Sequence, residues 1–246
     1  MPLLNTKKTT RIIMSSRVAV LSSGGLDSAV MLVELCRRFE QIYPIYIRCG
    51  LFWEEAELNC LQDFLKSIEQ AAIQPVQVLD FVMDDVYREG WYATGKNVPS
   101  YHEPDEEWQI PGRNIILLSK AAVWCKLHGI NSIAHGTLQG NPFADAKPEF
   151  FDLMEKSLSQ GLENDLNIVT PFRHFDKLDV VRMGQSLPLE RTLSCPVPVH
   201  NSHCGICGKC KERISAFARA GVCDPTVYNE QFQENSVGFQ QVRTLG

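Results

Sequence analysis

R-V-A-V-L-S-S-G-G-L-D-S-A-V-M-L-V-E-L, residues 17–35, decides how the chain folds. Residues 17–21 form a short, largely apolar run with β-branched members and predict a buried strand; residues 29–35 predict a helix. Between them lies Ser22-Ser23-Gly24-Gly25-Leu26-Asp27-Ser28. A strand that turns through two glycines into a helix leaves backbone N–H groups at the positive end of the helix dipole, which is a cradle for phosphate. Ser23 and Ser28 add hydroxyl donors. Asp27 suits an anion site only if it orients the loop or holds a Mg²⁺ that the phosphates also bind. The plainer alternative is a strand-to-helix turn with Asp27 or Ser28 as its N-cap. Neither G-x-x-x-x-G-K-[ST] nor G-x-G-x-x-G occurs, so two better-known phosphate loops are excluded.

Downstream, residues 41–48 predict a second strand, although Pro44 argues against a central position. Residues 54–70 repeat apolar side chains at Leu58, Leu61, Phe64, Leu65 and Ile68, the spacing of a helix with one buried face. Residues 75–79 predict a third strand. A long irregular stretch, 80–110, rich in acids and aromatics, suits a lid, a partner surface such as a homodimer interface, or an excursion with small elements of its own. A helix over 115–128 closed by Gly129, a strand over 130–134, a polar loop over 137–147, a helix over 148–160, a strand near 168–171 and a helix over 176–185 follow. Alternating strands and helices predict a doubly wound, mostly parallel α/β sheet, with ligands at the carboxyl ends of its strands. The expected organisation is a frayed 1–16, an α/β nucleotide domain over 17–190, a metal-binding helical segment over 191–228 and a loose tail over 229–246.

The 246 residues carry a net charge of −5, with 44% hydrophobic and 22% charged residues. Those values exclude disorder and give no general attraction to nucleic acid or an anionic membrane surface. No apolar run has the length of a membrane span or of a signal-peptide core, so a cytoplasmic location is expected. Of nine cysteines, Cys195, Cys204, Cys207 and Cys210 form C-x8-C-x2-C-x2-C. Four thiolates so spaced suit a tetrahedral Zn²⁺ with no open coordination position, hence a structural site. An iron–sulfur cluster or four free thiols are the alternatives. His203 is expected to support the site or touch substrate rather than ligate.

The S-G-G-x-D-S run at 23–28 resembles the pyrophosphate loop of the N-type ATP pyrophosphatases, which split ATP and pass AMP to a substrate oxygen. Other pieces follow in order: Arg113-Asn114, Gly136 to Lys147 before Pro148-Glu149-Phe150, Lys177 to Gly184, Thr192 to Cys195, Cys204 to Arg213, and Asp224-Pro225. Together they resemble the 7-cyano-7-deazaguanine synthase family along nearly the whole chain. The resemblance implies an adenine nucleotide alpha hydrolase-like fold. It also implies adenylation of 7-carboxy-7-deazaguanine, ammonia attack to an amide, and a second activation that ends in the nitrile. Leu21, Ser22, Ser23, Gly24, Gly25, Leu26, Asp27 and Ser28 would bind ATP and its Mg²⁺. Asp27, Arg113 and Lys147 would carry catalysis, and Arg113, Asn114, Asp145 and Lys147 would hold the substrate.

Three departures fall on segments that would face the substrate. The family's aromatic-Gly-Gln-x-His is replaced by Cys49-Gly50-Leu51-Phe52-Trp53-Glu54, its Asp-Cys-Arg by Asp145-Ala146-Lys147, and an aromatic residue after Cys195 by Pro196. A relative acting on another small carboxylate or a deazaguanine conjugate, or a nucleotide-binding zinc module without turnover, are therefore the alternatives. A tRNA-thiolating enzyme would need a basic face and an RNA-binding domain, neither of which is evident. No glutaminase domain is visible, so free ammonium or a separate protein must supply nitrogen.

Overall fold

The computed structural model describes residues 17–100 and 102–229; the stretches 1–16 and 230–246, expected to be loose, lie outside the described residues. Five parallel strands form one sheet in the order β3-β2-β1-β4-β5. They are β1 (Arg17–Leu21), β2 (Gln41–Arg48), β3 (Gln77–Asp80), β4 (Ser132–Ala134) and β5 (Asn167–Val169). Helices α1 (Leu26–Leu35), α2 (Glu54–Ile68), α5 (Arg113–His128), α6 (Pro148–Gly161) and α7 (Lys177–Gly184) run between or after them. Two single-turn helices, α3 (Asp84–Tyr87) and α4 (Trp91–Thr94), lie within 80–110, and α8 (Gly208–Ala220) follows the cysteines.

Side chains alternate across a strand, so β1 feeds two cores. Val18 and Val20 enter the layer built from α1, α2, α7 and α8, which includes Leu32, Leu61, Val180 and Phe217. Ala19 and Leu21 enter the opposite layer, with Leu118, Cys125, Ile133 and Phe151 from α5, β4 and α6. The apolar face expected on α2 is the buried one: Leu58, Leu61 and Phe64 are all at most 4% exposed. Burying a phenylalanine so fully stabilises by about 2–3 kcal/mol.

Pro44 sits inside the sheet, opposite Val20 of β1. Ile42 bonds towards the β3 side through Ala72 and Gln74, while Ile45 accepts from Ser22 of the β1 side. Backbone groups alternate, so the missing N–H of Pro44 faces β3. There the pairing is broken between the Ile42–Ile73 bridge and the Ile45–Gln77 register, and no ladder bond is lost.

Helix α5 begins at Arg113, earlier than its apolar period alone indicates, because Gly112 at φ +71° turns the chain in front of it. Helix α7 starts at a reciprocal capping box between Asp176 and Asp179.

The stretch 80–110 holds small elements of its own and is anchored to the body at several points, although many of its residues are exposed. Phe52 N–H donates to the Tyr92 carbonyl at 2.8 Å and the Tyr87 hydroxyl to the Pro111 carbonyl at 2.7 Å. Trp91 stacks on Trp53 at 5.7 Å and meets Trp108 edge-on at 5.3 Å. Trp108 in turn packs among the four cysteines and against Gly208, where a Cβ would lie 2.5 Å from the ring. The segment therefore clasps the cysteine region to the sheet. Among the described residues, no helix is long and apolar enough to cross a membrane.

Candidate active site

The chain leaves β1 for β2 and β3 on one side, then returns through α5 to β4 on the other. The carboxyl ends of β1 and β4 consequently open a crevice, where such sheets bind ligands. A cavity of about 550 Å³ occupies it. Its walls include the loop after β1, the end of β2, the start of α2, the start of α5, residues 135–143 and 145, Lys177 and the first half of α8.

The loop after β1 is shaped by its own hydroxyls and by two neighbours. Ser23 N–H donates to Ser28 Oγ at 3.3 Å and Gly25 N–H to Ser23 Oγ at 3.3 Å, while Ser28 Oγ donates to the Gly25 carbonyl at 3.0 Å. The two serines thus preorganise the turn from within. Gly24 has φ +74°, and a Cβ there would fall 2.4 Å from the Glu57 carbonyl of α2. Leu193 N–H donates to the Gly24 carbonyl at 2.9 Å, so the extended segment leading to Cys195 pins the same turn. The first turn of α1 (Leu26, Asp27, Ser28) lines the cavity.

Asp27 is held by Lys177, whose Nζ lies 2.7 Å from Oδ2. Its Oδ1 is buried and has no hydrogen-bond partner among the described residues. A buried carboxylate oxygen left over beside a phosphate-type loop fits a Mg²⁺ ligand. Lys177 also meets Glu212 Oε1 at 3.4 Å, and Glu212 meets Lys209 at 2.9 Å, giving a chain of alternating charges across α1, α7 and α8. Burial works against the charge on Lys177, but Asp27 and Glu212 outweigh it and hold its pKa up. Burial likewise opposes ionisation of Glu212, yet Lys177 and Lys209 bring it down to about 2.

Arg113 and Asn114 open α5 on the far wall. The Arg113 Nε is buried without a hydrogen-bond partner, and the guanidinium forms no ion pair among the described residues. Asn114 ties three elements together. Its N–H donates to Asp145 Oδ2 at 3.2 Å, its Nδ2 to the Asp145 carbonyl at 2.8 Å, and its Oδ1 meets His135 Nε2 at 3.1 Å. With the amide orientation set by Asp145, His135 must carry its proton on Nε2. Burial, and then the nearby Arg113 charge, lower the His135 pKa to about 4, so the ring is neutral and its Nδ1 is a buried acceptor without a partner.

Of the residues expected at the site, Leu21, Ser22, Ser23, Gly25, Leu26, Asp27, Ser28, Arg113, Asn114 and Asp145 line the cavity, and Gly24 supports it from behind. Lys147 does not line it: its ammonium is exposed and donates to the Asn141 carbonyl at 2.7 Å. Lys177, Glu57 and His135 line the cavity without having been singled out. The signals were present as a lysine opening a helix, an acid on the otherwise apolar side of α2, and a histidine ending a strand.

The four cysteines meet as expected from their spacing. All four are buried and their sulfurs lie within 4.8 Å of one another, with Cys195–Cys207 and Cys204–Cys210 at 3.9 Å and Cys207–Cys210 at 3.5 Å. Tetrahedral Zn–S bonds of about 2.3 Å require sulfurs about 3.8 Å apart, so the cluster fits a metal of that size. Backbone N–H groups of Cys204 and Cys207 point at Cys195 and Cys204 sulfurs at 3.4 Å. His203 is outside the cluster; its Nε2 accepts from Ser194 N–H at 3.1 Å, next to Cys195. Arg213, 2% exposed, donates to Thr192, Leu189 and Thr226 and fixes α8 to the segment that pins the phosphate-type loop.

Residues 17–221 match the family described as queuosine biosynthesis protein QueC. The 7-cyano-7-deazaguanine synthase of Thermoplasma volcanium is 30% identical to this chain over 94% of it and 99% of the relative. That of Persephonella marina is 29% identical over 88% of this chain and 99% of the relative. For 7-cyano-7-deazaguanine synthase 1 of Desulfitobacterium hafniense the identity is 31%, over 82% and 91%.

Proposed function

Because the chain belongs to the QueC family of ATP-dependent carbon–nitrogen ligases, we propose that it converts 7-carboxy-7-deazaguanine to 7-cyano-7-deazaguanine in two ATP-driven stages. The carboxylate takes AMP from ATP and releases pyrophosphate; ammonia displaces AMP to give the amide. A second ATP adenylates the amide oxygen, and loss of AMP leaves the nitrile. The observation that carries this reading is one cavity that holds both a phosphate-type loop and an unpaired arginine.

The roles follow from what each group offers. The loop from Leu21 to Ser28 receives the phosphates, and Lys177 neutralises charge that builds on the leaving pyrophosphate. Mg²⁺ would be held by Asp27 and would draw the phosphate oxygens towards it. Arg113 clamps the substrate carboxylate beside the α-phosphate, where its planar fork meets either anion. Asp145 keeps one oxygen on Asn114 N–H and offers the other to the N1–H and amino edge of a guanine-like ring. Zn²⁺ on the four cysteines would be structural, because four sulfurs leave no position for water.

A second reading, amidation of a different small carboxylate, is favoured by Lys147, whose ammonium is bound to Asn141 away from the cavity wall. One experiment separates the two. Purified protein with ATP, Mg²⁺, ammonium and 7-carboxy-7-deazaguanine is analysed by mass spectrometry, with Asp27→Ala as the control. Nitrile with AMP and pyrophosphate, absent from the control, is the expected result. AMP without a deazaguanine product would leave the activation chemistry standing and reject the substrate.

A further inference from the structure

Glu57, on the first turn of α2, is 8% exposed and yet lines the cavity. The Tyr46 hydroxyl donates to its Oε2 at 3.1 Å, and the Trp53 side chain also bonds to it. No Lys, Arg or His of the described residues forms an ion pair with it. An enclosed carboxylate with no cation in direct contact, and only the Arg113 charge acting on it from nearby, is costly unless something cationic or a proton joins it. The carbonyl of the same residue backs onto Gly24, so this carboxylate stands beside the turn where ATP would be opened.

We propose that Glu57 is the binding site of the ammonium nucleophile and the base that removes its proton. The proposal rests on the reaction given above, which needs neutral ammonia although the solution supplies ammonium. An N–H bond of ammonium breaks, its proton passes to a Glu57 carboxylate oxygen, and the electron pair stays on nitrogen. That pair forms the C–N bond at the acyl carbon, and the C–O bond to AMP breaks with its pair leaving on AMP. The second proton leaves the nitrogen to the phosphate of AMP or to water, and Glu57 returns its proton to solvent once the amide has formed. Acyl adenylate and ammonium thus give amide, AMP and two protons.

The surroundings set Glu57 for this task. Burial raises its pKa, Arg113 and the Tyr46 and Trp53 hydrogen bonds pull it down, and Glu54 pushes it up again, to about 7. Burial first, and then neighbouring acids that include Glu57, push the Cys49 and Cys60 thiols up to about 11, so both stay protonated beside it. A base that titrates near the working pH is the effective kind.

The test compares two nucleophiles in wild type and Glu57→Gln, with ATP, Mg²⁺ and 7-carboxy-7-deazaguanine. Ammonium must be deprotonated before it attacks, whereas hydroxylamine is already neutral at pH 7 and yields a hydroxamate. The expected result is a split: amide formation from ammonium falls about 100-fold in the variant, in the range of a lost general base, while hydroxamate formation stays within about threefold. The ammonium deficit should narrow as pH rises and free ammonia accumulates. Equal loss with both nucleophiles, or no loss with either, overturns the proposal. In wild type, amide formation should show an inflection near pH 7 that hydroxamate formation lacks; identical profiles overturn it without relying on the variant's folding. No hydroxamate from wild type would reject the substrate assignment and the ammonium site with it.

Discussion

Asp27 is the residue whose two oxygens divide between structure and chemistry. One is fixed by Lys177 and the other has no partner among the described residues. Asp27→Asn keeps the shape and removes the charge. Its pyrophosphate release should fall by at least about 100-fold, as for loss of a preorganised electrostatic group, with the melting temperature nearly unchanged. His135 bears on stability instead. Its folded pKa is about 4 against an ordinary value of 6.5, so between those pH values the unfolded chain binds more protons. Stability should therefore rise with pH across that window and be lost as pH falls through it. His135→Asn should flatten that part of a melting-temperature profile; an unchanged slope would show that other groups set it. The place of Asp27 on the cavity wall was legible because it lies inside the loop's motif. His135 was not, because its protonation depends on Asn114 and Arg113, which belong to another helix.

At the scale of elements, the turn between β1 and α1 is gripped by α2 in front and by the segment before Cys195 behind. Gly24 permits this twice over, through φ +74° and through the close approach of Glu57's carbonyl. Gly24→Ala should destabilise by about 2–4 kcal/mol, since strain at positive φ adds to a steric clash. Calorimetry would measure it, and a change below about 0.5 kcal/mol, the scale of ordinary surface substitutions, would mean the grip is loose. Trp108 is the corresponding wedge at the other end of the cavity, among the cysteines and against Gly208. Trp108→Ala should cost about 3–5 kcal/mol, the range for aromatic truncation in a core. The sequence marked 80–110 only as too long and too aromatic for a connection. Its docking depends on Trp53, Trp91 and Trp108, which come together through the fold.

Across the whole molecule, the cysteine cluster and the nucleotide loop are one mechanical unit. Leu193 bonds to Gly24, Cys195 lies two residues on, and Arg213 ties α8 back to the same segment. Chelation, or Cys204→Ser, should therefore abolish ATP binding along with the bound metal, because metal-binding energy is folding energy for this segment. Elemental analysis and calorimetric titration with ATP would measure both, and full ATP affinity in metal-free protein would disprove the coupling. The sequence by itself determined the doubly wound sheet, the phosphate-type loop, the group of four cysteines and the family, since each is written in short-range pattern: strand and helix periods, adjacent glycines, and the C-x8-C-x2-C-x2-C spacing. Tertiary structure alone decided that Lys177 meets Asp27 across 150 residues, that Glu57 is enclosed with no ion-pair partner among the described residues, and that Lys147 turns outward. Those outcomes depend on which helix ends converge at the crevice between β1 and β4, and side-chain charge and burial at that point are set by packing rather than by neighbours along the chain.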